Sequence, residues 1–229
     1  MKAIHLNRLI ILLLCSLLLS DPAGAADENR QTIRFATFNI AMGLESEGEL
    51  YQRLSSGEDI PLKKVAAVIQ NVRPDVLLLN EFDYFELDSA ILFINNYLDK
   101  PQFGNEAISF LHALNGAVNT GEDSGLDLSG NGVLGEPGDA WGFGRFPGQY
   151  GMMVLSRFPL QLQRSFRLFK WRDMPDALIP LNPEGSNWYP ETVWKELRLS
   201  SKTHWDIAVS IDGQDIHFLV SHPTPPVFD

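Results

Sequence analysis

The stretch PLKKVAAVIQNVRPDVLLLNEFD, residues 61–83, sets the fold class. Its first half has helical spacing. Leu62, Val65, Ala66, Ile69 and Val72 share one face, Pro61 suits a first turn, and Pro74 stops the helix. Its second half, Asp75 to Asp83, is a near-continuous apolar run, as expected of a strand buried on both faces. Just upstream, TIRFATFNI (residues 32–40) alternates β-branched and aromatic residues like a strand. Strand, helix, strand in that order is a βαβ unit, so the two strands are expected to run parallel.

Working outward, SAILFINNYL (residues 89–98) reads as a further helix. A Gly/Asp/Asn-rich region from 115 to 149 lacks periodicity and reads as a large insertion. YGMMVLS (150–156) and LQRSFRLFKW (162–171) read as strands, and the Pro-rich segment 174–190 as a loop. The last third reads as an antiparallel meander. TVWKELRLSS (192–201) and HWDIAVSI (204–211) are expected strands, Asp212–Gly213 a tight hairpin turn, and QDIHFLV (214–220) the closing strand. A parallel opening followed by antiparallel pairing predicts an α+β layered fold with mixed sheets.

Residues 1–25 carry a different signal. Lys2 and Arg8 precede the apolar run LIILLLCSLLLS, and AGA (23–25) supplies small residues, the pattern of a secretory signal peptide cleaved near Ala25 or Ala26. The run is short for a permanent span, so no stable membrane segment is expected after cleavage, and the protein is expected to be secreted or periplasmic. Cys15, the one cysteine in the sequence, leaves with that peptide, so disulfides and thiol chemistry are excluded from the mature chain. The net charge of −11 disfavours non-specific binding of nucleic acid but suits divalent cations. Arg145 and Arg157 stand isolated and define no basic groove. WGFGRFPGQYG (141–151) reads as a packed loop rather than a sugar or base platform.

Three polar residues stand at strand ends. Asn39 and Glu81 close the two parallel strands, where ligands gather in such sheets. A carboxylate with a carboxamide oxygen suits Mg²⁺, Mn²⁺ or Ca²⁺. His222 ends the last strand, and Pro223 prevents that strand from continuing. A histidine so placed exchanges protons near neutral pH. Taken singly, each reads more readily as a turn or surface residue.

As an ordered set, FATFNIAMG (35–43), RPDVLLLNEFD (73–83), FPGQYGMMVLSRFPL (146–160) and FLVSHPTPP (218–226) resemble the endonuclease/exonuclease/phosphatase superfamily, especially its large secreted bacterial members. The resemblance implies a four-layer α/β/β/α sandwich and metal-dependent phosphoester hydrolysis. It implies that Asn39 and Glu81 serve the metal site, with Mg²⁺ or Mn²⁺ as the ion. It also implies that His222 contacts the scissile phosphate, as an acid or by stabilising developing charge. The family's later Asp-x-Asn and Ser-Asp-His motifs do not follow His222. The Asp-x-Asn at Asp27–Asn29 lies just after the signal segment. The expectation is therefore the N-terminal portion of a longer catalytic domain, marginally stable and nearly inactive by itself. A non-catalytic, calcium-stabilised secreted binding module is the alternative.

Weaker candidates complete the set. Lys202 and His204 in SSKTHWD (200–206), and Tyr150, are within reach of a substrate phosphate in this reading; a packed hairpin connection and a core tyrosine are the alternatives. Asp127, Ser129 and Asn131 in DLSGNG imitate the start of a calcium loop, although the twelfth position is Gly138 rather than glutamate.

Overall fold

A computed structural model describes residues 31–85 and 88–224. The signal-peptide expectation for residues 1–25 lies outside the described residues.

The helix read from residues 61–74 forms as α2, Ile60–Val72. The Asp59 carboxylate accepts the Leu62 amide at 2.8 Å, capping its start. Arg73, in the left-handed region at φ 52°, ends it, and its amide returns to the Ile69 carbonyl. Leu62, Val65, Ala66 and Ile69 are buried as expected. Val72 is not: it is 40 % exposed, because the last turn has already passed the edge of the sheet-facing stripe. Buried Gln70 takes up the anchoring instead. Its side chain donates to the Leu98 and Lys100 carbonyls and accepts from the Gln102 amide.

The flanking strands β1 (Phe35–Met42) and β2 (Val76–Phe82) pair in parallel, as the βαβ reading requires. Helix α1 (Glu49–Ser56) stands between β1 and α2. Helix α3 (Ser89–Phe93) continues into a wider turn over Ile94–Leu98. Strand β3 (His112–Asn115) and β4 (Met152–Ser156) complete a sheet of order β1-β2-β4-β3, with β4 antiparallel to both neighbours. A second sheet holds β5 (Leu160–Ser165), β6 (His204–Ile211) and β7 (Gln214–Ser221), all antiparallel. Asp212 and Gly213 both take positive φ, at 50° and 78°, which matches the twist of the β6–β7 hairpin.

Alternation along the strands explains the layers. Leu77, Leu79, Met153 and Leu155 face the helices and pack with Leu62, Ile69, Phe93 and Tyr97. Val76, Leu78, Met152 and Val154 face the other way and pack on Trp205, Ile207, Val209 and Val220 of the second sheet. Strands β2 and β4 are therefore covered on both faces, the origin of their unbroken apolar sequences. The described residues supply three layers of the expected four: helices, first sheet, second sheet. The outer face of the second sheet carries His217, Asp215 and the 73 % exposed Leu219.

Two strand expectations are corrected. Residues 192–201 do not form a strand. Glu191–Trp194 is a single helical turn (α4), and Val193, Trp194 and Leu197 are buried along one side of the segment. The apolar spacing there is three to four, not two. The strand expected over 162–171 stops at Ser165, after which the chain turns and Trp171–Asp173 makes a short 3₁₀ turn. Region 115–149 holds little regular structure among the described residues and is tied to later segments of the chain. Buried Asn119 donates to the Arg167 and Ser200 carbonyls and accepts from Arg198. The same Arg198 pairs with Glu122 and lies over the Trp141 ring at 4.5 Å.

Candidate active site

Asn39 and Glu81 do not stand opposite each other. The register pairs Asn39 with Asn80 and Met42 with Phe82. Strand β1 thus spends three steps where β2 spends two. The extra residue sits at a bulge near Ala41, whose φ is 52°. Glu81 is also left-handed, with φ 57°. An extended Glu81 would follow Leu77 and Leu79 into the helix-side core. The reversal breaks the alternation, so Phe82 takes that face and the carboxylate is released toward Asn39. Such backbone costs roughly 1–2 kcal/mol per residue and is expected where a side chain must be aimed.

Asn39 then fixes Glu81. Its Oδ1 accepts the Ala41 amide at 3.0 Å, which leaves Nδ2 to donate to Glu81 Oε1 at 2.9 Å. The carboxamide therefore orients the carboxylate, a different task from presenting an oxygen to an ion. His222 Nε2 lies 3.8 Å from the same Glu81 Oε1. Burial lowers the His222 pKa, reinforced by the Lys202 charge, while Glu81 and the Tyr150 backbone pull the other way. The imidazole is thus held neutral at pH 7, and its Nδ1 is buried without a hydrogen bond.

Glu81, Lys202, His222, Tyr150 and Phe143 line one cavity of about 380 Å³. Lys202 is 7 % exposed; burial lowers its pKa, and Glu81 opposes that. A larger depression, about 460 Å³, runs along residues 164–169 but belongs to one continuous segment with no carboxylate or imidazole.

Asp83, two residues after Glu81, is a site residue that sequence reading missed. It is buried, and its carboxylate accepts the Leu44 amide at 2.7 Å and the Tyr150 amide at 2.7 Å. It thereby ties the end of β1, the end of β2 and the Tyr150 loop together. Desolvation raises its pKa to about 6 against those two amides, with Glu49 and Glu81 adding repulsion. Tyr150 itself has φ 56°. Its ring occupies the space beside Gly43, where any side chain would overlap it. Gln149 braces the same loop, donating to the Leu44 carbonyl at 2.6 Å. A lone aspartate closing a buried strand was the available signal for Asp83.

Two candidates fall elsewhere. His204 pairs in register with Ser221 at the start of β6 and is not among the residues lining the cavity. It lies on the strand face opposite Trp205, which fills the inter-sheet core. The residues expected to form a calcium loop use their oxygens internally. Asp127 accepts the amides of Gly130, Asn131 and Gly132, and Asn131 Oδ1 accepts that of Val133. Ser129 donates to Asp127. Buried Asp139 accepts the Leu128 and Ser129 amides, chiefly the latter holding its pKa below the usual range. Asp127, Ser129 and Asn131 are thus held in place by hydrogen bonds within the loop. Among the described residues, no group of three or more His, Cys, Asp or Glu side chains is placed to hold a metal.

The family model for the endonuclease/exonuclease/phosphatase family matches residues 36–226. The chain belongs to this family. The endonuclease/exonuclease/phosphatase match encloses Asn39, Glu81, Asp83, Tyr150, Lys202 and His222, the whole constellation just described. Among solved structures, the chain is similar to an endonuclease/exonuclease/phosphatase family protein from Leptotrichia buccalis C-1013-b, at 16 % identity and TM-score 0.42, covering 85 % of this chain and 56 % of that one. It is also similar to an endonuclease/exonuclease/phosphatase from Beutenbergia cavernae DSM 12333, at 19 % identity and TM-score 0.38, covering 86 % and 39 %. The chain thus spans about half the length of these proteins or less. A comparison with curated proteins returns no match. Among the described residues, no helix is long and apolar enough to cross a membrane.

Proposed function

We propose that this chain carries the Glu81–His222 portion of a divalent-metal-dependent phosphoester hydrolase site, acting outside the cytoplasm after removal of residues 1–25. One observation carries the reading. Side chains from three distant segments converge on a single oxygen, Glu81 Oε1, with Asn39 at 2.9 Å and His222 at 3.8 Å.

The donor set suits an ion that keeps most of its water. Glu81 offers one carboxylate, and Mg²⁺ or Mn²⁺ needs only one or two, with water and phosphate oxygens completing the shell. Once bound, such an ion neutralises phosphate oxygens that an acidic protein would otherwise repel. The chain's own residues do the rest. Asn39 holds the carboxylate in one orientation. Lys202, nearly buried, offers a cation to a phosphate oxygen in a low-dielectric wall, where its charge acts strongly. Neutral His222 donates a hydrogen bond or passes a proton where charge builds on the reacting phosphate. Tyr150, held by Asp83 and packed beside Gly43, also lines the cavity. The left-handed backbone at Glu81 and Tyr150 is the cost of this aim.

The test is Mn²⁺ and phosphate binding, measured by calorimetry on the purified chain and on Glu81→Gln and His222→Ala variants. Glu81→Gln is expected to weaken Mn²⁺ binding at least tenfold. His222→Ala is expected to retain Mn²⁺ and lose metal-dependent phosphate affinity. Hydrolysis of bis(4-nitrophenyl) phosphate, where detectable, is expected to fall steeply in both, because such groups act as a unit. Wild-type affinities in both variants would overturn the reading.

A further inference from the structure

The cavity lining mixes polar and apolar side chains. Lys202 and His222 belong to the polar part of its lining and Phe143 to the apolar part. Phe143 is 58 % exposed. Single exposed phenyl groups are common and mean little by themselves. Two features set this one apart: its seat and its place.

The seat is rigid. Gly142 exchanges backbone hydrogen bonds with the segment beneath, its amide donating to the Asn119 carbonyl at 3.2 Å and its carbonyl accepting the Gly121 amide at 3.0 Å. Any side chain at 142 would overlap the Ser201 carbonyl, so the backbone lies directly on the loop that carries Lys202. Asn119 is fully buried and tied to three further residues. The phenyl ring is thus presented by a backbone fixed at Gly142, among the lining residues that include Lys202 and His222. Within WGFGRFPGQYG, read from the sequence as a packed loop, Phe146 is buried whereas Phe143 is exposed.

We propose that Phe143 is a shelf for the non-phosphate part of the substrate, so that this site takes small phosphoesters bearing a planar or apolar group directly beside the phosphate. The proposal rests on the phosphoester reading above and names its substrate class. Size agrees: about 380 Å³ is near the lower end for small-ligand pockets. Charge agrees as well. Among the described residues lining the cavity, Lys202 is the one lysine or arginine, enough for one phosphate group rather than a polyanion, in a chain of net charge −11. A ring on Phe143 gains offset or edge-to-face contact that a methyl ester cannot.

The experiment titrates phenyl phosphate and methyl phosphate into the full chain with MgCl₂ present, by calorimetry, for wild type, Phe143→Ala and Phe143→Trp. Because the ring is exposed, Phe143→Ala is expected to keep the wild-type thermal midpoint. It is expected to weaken phenyl phosphate binding roughly two- to tenfold while leaving methyl phosphate unchanged. Phe143→Trp is expected to retain the preference for the phenyl ester. An unchanged phenyl affinity in Phe143→Ala, or equal weakening of both esters, overturns the shelf and leaves the phosphoester site standing. Failure of wild type to bind either ester overturns the phosphoester reading and the shelf with it.

Discussion

Removing Asp83 should unfasten the site from below, and the loss should depend on pH. In Asp83→Ala the Leu44 and Tyr150 amides lose their shared acceptor. Each buried unsatisfied N–H costs about 1–3 kcal/mol, so the variant should lose about 2–6 kcal/mol. That is a large part of a typical folding free energy of about 5–15 kcal/mol. Ionisation modulates the figure. The folded carboxyl titrates at about 6, against 3.8 in the unfolded reference. A raised folded pKa means the stabilisation from proton binding is complete below 3.8 and is lost as pH rises through about 6. Full ionisation forfeits about 3 kcal/mol, of which about 1.3 kcal/mol falls between pH 5 and pH 7. Wild type carries this slope; Asp83→Ala does not. The variant's deficit should therefore be larger at pH 5 than at pH 7 by about 1.3 kcal/mol. Urea unfolding in EDTA-containing buffer at both pH values measures it. A deficit that is the same at both, or a midpoint indistinguishable from wild type, would refute the role assigned to Asp83.

Gly43→Ala places a methyl group where the Tyr150 ring lies; overpacking should cost about 1–3 kcal/mol and, by displacing that ring, weaken phenyl phosphate binding, which calorimetry would show. In metal-free buffer the His222 imidazole should titrate below 6.5, and Lys202→Met should raise its midpoint without fully restoring it, since burial is the larger cause; NMR titration of the ring protons reports both values. Asp139→Ala should speed proteolytic cleavage within residues 124–139, since the Leu128 and Ser129 amides lose their acceptor; an unchanged cleavage rate would refute that anchoring role.

The extent to which the site is legible in the sequence varies residue by residue. Asn39, Glu81 and His222 announce themselves as polar groups at the ends of apolar strands, and the structure brings all three within hydrogen-bond or near-contact range. Asp83 has the same signature but follows Glu81 so closely that it reads as loop. Even the reversal at Glu81 leaves a trace: the helix-facing residues run Leu77, Leu79, Phe82, a step of two and then three. Asp127 shows the opposite failure. Alternating oxygens in a sequence do not show which backbone amides they accept; the folded loop supplies those partners.

By itself the sequence determined the local elements and their burial. The period of apolar residues dictates helix α2 and strands β1, β2, β4, β6 and β7, because a side chain's face follows from its position along a regular backbone. The tertiary structure alone decided what those elements aim at. A bulge, two left-handed residues and a buried carboxylate place Glu81 and Tyr150 on one cavity with Lys202 and Phe143, with Asn39 bonded to Glu81 behind them. None of that follows from periodicity, since irregular backbone is stabilised by contacts from segments dozens of residues away rather than by its own neighbours.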